Sequence, residues 1–408
     1  DYLAEITMSI LARMKAKNAS LGYATDFVSH VMRPLAREIA GRGVKVIANA
    51  GGVNLEACRD ALRAALAEQG VDLKIAIVRG DDLLHKAQEF RAGGVTEMFR
   101  GEPMPEKIAS INAYLGAFPI AAALDAGAQV VLTGRCVDSA LALGPLIHEF
   151  GWRASDYDLL SAGTLVGHLI ECGAQVTGGI LTDWRAVDGW DRMGFPIAEC
   201  RADGSFELTK PAETGGLVSV ATVSEQMTYE VGDPAAYIVP DVICDWRDVR
   251  VEQTGLHRVR LSGARGLPPT RTYKASATYS DGYRASVTMM LVGREARERA
   301  EADGPVQLRP AVAAQRADDL AGEALGVDAH EDGLAVADVA RHERQVLLVV
   351  DVVRVQAQHE RPDGRRDPRV RHLPDGGHVL GVDAAGKVNH RRPAARGRAS
   401  SSSPRRPR

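Results

Sequence analysis

Cysteine and aromatic residues are scarce in this chain. Only 5% of its 408 residues are aromatic. The five cysteines, Cys58, Cys136, Cys172, Cys200 and Cys244, are scattered and odd in number. That spacing argues against a disulfide framework and predicts reduced thiols in a cytoplasmic protein. No run reaches the roughly 18 apolar residues that span a bilayer. No basic segment leads into an apolar one, as an export signal requires. The formal net charge is −3, so no global basic field invites nucleic acid.

A sharper absence marks one end. From Glu301 to Arg408 there is no Phe, Tyr, Trp, Ile, Met, Cys or Thr. Nearly every residue type there can be written with a codon that begins in G or C. A frame slip in a GC-rich gene turns wobble bases into first bases and gives this composition. We expect the reading frame to be lost near 295–305; the alternative is a disordered Arg-rich tail. DNA sequencing across that point decides between them. Six of the eleven histidines lie in this stretch, and none is given a role. At the other end the chain opens on Asp1 and runs straight into a helical pattern, so a preceding strand is expected upstream.

What remains is ample for two domains, since 45% of the residues are hydrophobic. Helical patterns cover 3–17 and 25–41, with Thr25 or Asp26 as a cap for the second. VKVIANA (44–50), LKIAIV (73–78) and QVVLTG (129–134) read as buried strands. Asn54 is placed to cap a helix, 105–126 looks helical with a break near Pro119, and Pro145 kinks or restarts the helix after 134. Ser161 is expected to cap the next one. The alternation predicts an α/β domain over 1–195, with a mainly parallel sheet flanked by helices. A mixed α+β region with antiparallel strands is expected over 196–300, with a hairpin turn at Tyr279-Ser280-Asp281-Gly282-Tyr283. The stretch 301–408 is the disordered or out-of-frame tail.

Four stretches carry polar residues suited to chemistry. NAGGVN (49–54) ends a strand, and its glycines allow backbone N–H groups to approach an anion at a helix start. Asn49, Gly51, Gly52 and Asn54 are therefore substrate-binding candidates, although a tight strand-to-helix turn explains them equally. TGRCVD (133–138) also ends a strand. Arg135 could grip a carboxylate or phosphate. Asp138 is a base or an N-cap, and Cys136 is a low-pKa thiol or a buried structural one. HLIECGAQVTGG (168–179) sets His168 and Glu171 on one helix face with Cys172 beside them. They form an acid/base pair, a structural pair or, less conventionally, a metal site. Asp183, beside Trp184, is a reserve carboxylate or part of a capped turn. Glu225 and Gln226 sit in a further helical segment, as substrate contacts or as an ordinary helix face.

As an ordered set, LGYATDFV (21–28), NAGGVN, TGRCVDSALALGPLIHEFGW (133–152), GHLIECGAQVTGG, VSEQMTYEVGDPAAYIVPDV (223–242) and TYKASATYSDGYRA (272–285) resemble the acyclic terpene utilisation family, AtuA. The resemblance covers most of 20–295. It implies a bacterial cytoplasmic protein linked to breakdown of citronellol- and geraniol-type compounds, a route through branched acyl-CoA thioesters. It points to lyase-type or hydratase-type chemistry, such as cleavage of a 3-hydroxy-3-branched glutaryl-CoA. His168, Glu171, Asp138 and Asp183 would then move protons. The expected ligand is a CoA thioester, with no resident cofactor assigned and the metal requirement open. A homo-oligomer is expected. The rival expectation is a non-catalytic partner of a biotin-dependent acyl-CoA carboxylase. Family members also begin with a further strand and a glycine-rich loop, and keep a coherent frame past 300; this chain is expected to depart on both counts.

Overall fold

A computed structural model describes the backbone of residues 1–289, 335–350, 380–382 and 388–389, and the side chains of 1–280. The strands read from the apolar runs are present: β1 (Val46–Ala48), β2 (Ile75–Val78) and, beyond β3 (Ser110–Ala113), β4 (Val130–Thr133). β4 lies between β1 and β2, parallel to both. Every residue of β2 and β4 is buried, as expected of parallel strands covered on both faces. The sheet continues from β2 to two short strands, Leu380–Val382 in parallel and then Val388–Asn389 antiparallel to it. These fall inside the stretch expected to be a tail; most of the rest of 301–408 lies outside the described residues.

The helices are α1 (Glu5–Lys17), α2 (Arg33–Arg42), α3 (Leu55–Glu68), α4 (Ala87–Ala92), α5 (Phe118–Asp125), α6 (Ala140–Phe150), α7 (Tyr157–Ile170) and α8 (Val220–Thr228). The helix expected from residue 25 is there, with Phe27–Met32 wound as a π-helical stretch ahead of α2. α6 runs through Pro145 without restarting. α7 is buried at every residue from Leu160 to Leu169. A helix apolar all round has to be surrounded, and α6, α8 and three short strands surround it.

Beyond α7 the strands are antiparallel. β5 (Ile197–Cys200), β6 (Phe206–Thr209), β9 (Arg250–Gly255) and β10 (Arg258–Ser262) form one sheet, in the order β5-β6-β10-β9. β7 (Tyr237–Ile238), β8 (Ile243–Asp245) and β11 (Arg265–Leu267) form a second. β12 (Tyr273–Met289) lies between β3 and the strand Ala335–Val350. One buried apolar cluster runs from Ala76 to Ala277 and joins these sheets to α5, α6 and α7.

Three local expectations are corrected. Residues 105–126 are not one helix. Ser110–Ala113 pairs with Ala275–Thr278 of β12, and only Phe118–Asp125 is helical, with Pro119 in its first turn. Asp281-Gly282 does not turn the chain. β12 passes straight through, and the register merely shifts between Ser280 and Gly282. Ser161 is not a cap. α7 starts one turn earlier, after Asp156, and Ser161 is a buried acceptor for the Trp246 Nε1–H at 3.2 Å.

Candidate functional site

The loops after β3 and β4 are fixed by two buried aspartates. Asp81, three residues past β2, accepts the Arg135 N–H at 2.8 Å and the Asn112 Nδ2–H at 2.9 Å. It lies so close to Gly134 that a Cβ there would come within 2.3 Å of its Oδ2. Asp241 does the same after β3. It accepts the Ala117 N–H at 2.8 Å, and a Cβ on Gly116 would meet its Oδ1 at 2.3 Å. The two loops also bond each other, Val137 N–H to Leu115 O at 2.9 Å. Burial pushes the Asp81 carboxyl up to about 6 despite the two bonds it accepts.

Arg135 extends from this framework into the protein. Its side chain is only 2% exposed. Nη1 donates to Asp138 Oδ1 at 2.6 Å and to Leu3 O at 3.1 Å. Nη2 lies 3.5 Å from Glu5 Oε1, and the guanidinium carbon lies 4.2 Å from the Tyr114 ring centroid. Tyr114 in turn donates its O–H to Glu5. Protein groups thus hold both terminal nitrogens of the Arg135 fork, while its buried Nε has no hydrogen-bond partner among the described residues.

The residue it holds is better placed. Asp138 keeps 31% of its side chain exposed while one oxygen is tied to Arg135. Burial pushes its carboxyl up to about 6; Arg135 opposes the shift, and Glu171 and Glu5 add to it. It is not the α6 cap, which is Ser139 by position. Burial pushes the Cys136 thiol up to about 12, so it is a structural cysteine rather than a nucleophile.

α7 brings the second carboxylate. A Cβ on Gly167 would come 2.5 Å from Ser139 Cα, so the glycine is what lets the start of α6 lie against α7. This approach puts Asp138 within electrostatic reach of Glu171, one turn beyond Gly167. His168 is 1% exposed, with Nε2 3.0 Å from Gln226 O. A carbonyl only accepts, so Nε2 carries the hydrogen and Nδ1 is the basic nitrogen. Nδ1 lies 3.4 Å from Glu171 Oε1, close enough for an ion pair though not aligned as a hydrogen bond. A proton reaching Nδ1 therefore finds a carboxylate beside it.

The other candidates have structural duties. Gln226 is fully buried, and its Nε2 donates to His168 O at 3.2 Å, so it positions His168 rather than touching a substrate. Glu225 accepts the Thr182 N–H at 3.0 Å and ties down a loop. Asp183 lies exposed before the 3₁₀ turn Trp184–Ala186, where Arg185 stacks on Trp184 at 4.4 Å. No contact links it to Asp138 or His168 among the described residues. The glycine turn packs as a strand-to-helix joint. Gly51 N–H bonds Thr133 O at 3.1 Å, Gly52 N–H bonds Asn49 O at 3.3 Å, and Val53 N–H bonds Gly22 O at 2.9 Å. Gly52 has φ +53, and a Cβ there would lie 2.7 Å from Gly22 O. Asn49 accepts the Tyr2 N–H at 2.6 Å, and Asn54 Nδ2 donates to Ala19 O and Leu21 O at 2.8 and 2.7 Å. The turn is a packed joint whose amides face protein.

The structure adds residues that the sequence did not single out. Asp81, Asn112, Tyr114 and Glu5 support Arg135. Tyr237 and Lys274 border the carboxylates. Lys274 Nζ lies 4.5 Å from the Tyr114 ring centroid and has no ion-pair partner among the described residues. Burial lowers its pKa, while Glu5 and Asp138 pull it back up. No group of three or more His, Cys, Asp or Glu side chains among the described residues is arranged to hold a metal. No helix among them is long and apolar enough to cross a membrane.

The molecule is thus an α/β protein with a buried acid–base cluster where β4 feeds α6. The model of the acyclic terpene utilisation family protein AtuA matches residues 1–365, and the chain belongs to that family. No curated protein and no solved structure matches it.

Proposed function

We propose that this acyclic terpene utilisation family member moves protons on a branched acyl-CoA intermediate, as a lyase or hydratase, with Asp138 as the base. The observation that carries the reading is the state of Asp138. One oxygen is fixed by a buried arginine, part of the side chain is open, and burial pushes the carboxyl up to about 6. A base with that pKa is matched to work at physiological pH. In the cleavage reaction Asp138 takes the proton of the tertiary hydroxyl. The C–C bond breaks, its electron pair goes to the carbon next to the thioester, and a carbonyl forms where the hydroxyl was. The enolate is quenched by a proton on carbon. Dehydration passes instead through the enolate of the intact 3-hydroxyacyl thioester, formed by loss of the C–H proton before hydroxide leaves with a proton. The His168–Glu171 pair, with its basic Nδ1 beside a carboxylate, stores and returns the proton. Lys274 supplies positive charge for the substrate's own carboxylate.

The test is thermal-shift titration with free CoA and branched acyl-CoA thioesters, followed by product analysis by mass spectrometry. A shift confined to branched thioesters, with turnover lost in Asp138→Asn, supports the reading. Absence of any shift overturns it. Turnover that needs an added acyl-CoA carboxylase and survives Asp138→Asn would recast the protein as a non-catalytic partner.

A further inference from the structure

The enolate needs a donor for its oxygen, and the two donor groups expected from the sequence face protein. The amides at Gly51 and Gly52 bond protein carbonyls. The Arg135 terminal nitrogens are held by Asp138, Leu3 and Glu5, and its unpaired Nε is buried. We infer that the Tyr237 hydroxyl is the hydrogen-bond donor to the thioester oxygen as negative charge develops on it, an inference that rests on the acid–base reading above.

Tyr237 lies on β7 with its ring clamped. The Trp246 ring stacks 4.8 Å away at 31°, and the His168 ring lies 5.7 Å away at 53°. Trp246 is itself pinned by its bond to Ser161 and lies 5.4 Å from His168. The phenol therefore has little freedom to swing, which is what a pre-aimed donor requires. A buried tyrosine O–H normally finds a partner. This half-buried one has no hydrogen-bond partner among the described residues. The charged groups that face it are Glu171, Asp138 and Glu230. Burial and these charges hold its proton on, so it stays a donor through the working pH range.

Tyr237→Phe removes one oxygen and keeps the ring stack. Two readouts separate the claims: turnover of a branched 3-hydroxyacyl-CoA, and the infrared band of its 13C-labelled thioester carbonyl when bound. We expect kcat to fall about 100-fold with KM little changed and an unaltered melting temperature, the typical loss for one oxyanion donor. The carbonyl band should move to higher wavenumber in the variant. If the variant turns over and absorbs like the wild type, the role of Tyr237 is overturned while the acid–base reading stands. If neither protein turns over but the band still depends on Tyr237, the contact stands and the acid–base reading falls. If neither binds the thioester, both fall.

Discussion

Two strand ends in one sheet look alike in sequence and differ in what they leave free. After β1, NAGGVN closes on itself. Its amides, its asparagine side chains and the space a side chain would fill are all taken by protein. After β4, TGRCVD ends in a carboxylate that is tied at one oxygen and open elsewhere. Next to it stand the basic nitrogen of His168, the Glu171 carboxylate and the Tyr237 phenol, which has no hydrogen-bond partner among the described residues. Glycines at a strand end permit a ligand site but do not make one. Polar groups left without protein partners at low solvent exposure do.

Substitutions at the two ends should separate them. The largest effect is expected at Asp138. Asp138→Asn should cut turnover by about 10²–10⁴-fold, the usual worth of a positioned base, with the apparent pKa near 6 disappearing from the rate profile. Next comes Arg135→Met. It leaves Asp138 and Glu5 without their buried cation, and breaking such a pair costs about 3–5 kcal/mol; chemical denaturation would read it. The third effect concerns pH. The Asp81 carboxyl is held above its unfolded value, so the folded state binds the proton more tightly. That stability is full below about pH 4 and is lost as pH rises through about 6, on the order of 2–3 kcal/mol. Thermal unfolding of wild type and Asp81→Asn at pH 5 and 7 isolates it, because only the wild type should gain on acidification from this group. The smallest change belongs to the β1 end. Asn54→Ala loses bonds to two loop carbonyls and should cost about 1–2 kcal/mol, with turnover unchanged. Loss of turnover there would reopen the glycine turn as a ligand site.

Much of this was legible along the chain. Continuous apolar runs mark β1, β2 and β4; β2 and β4, buried on both faces, show no alternation. The spacing of His168 and Glu171 gave their pairing, since neighbours one turn apart meet on any helix. The failures share a cause. Ser110–Ala113 is a strand because β12 pairs with it from 160 or so residues away, and nothing local overrides its helical look. Asp281-Gly282 stays extended because the strand Ala335–Val350 runs alongside on both sides of it. Tyr237 and Lys274 carry no motif. They matter only because β7 and β12 lie beside a cluster built by β4 and α7, and adjacency of that kind has no local signature.

The grip of α1 on Arg135 sets an order of events. Leu3 and Glu5 reach a residue more than 120 positions away, and Tyr114 closes the same circle through Glu5. Contacts of such long range form late, after the chain's entropy has been reduced by nearer ones. During refolding the pairing of β4 with β1 and β2, and the buried tryptophans, should therefore settle before Asp138 acquires its tuned proton affinity. Competence would be the last property the molecule regains, and the first it loses when its opening helix peels away.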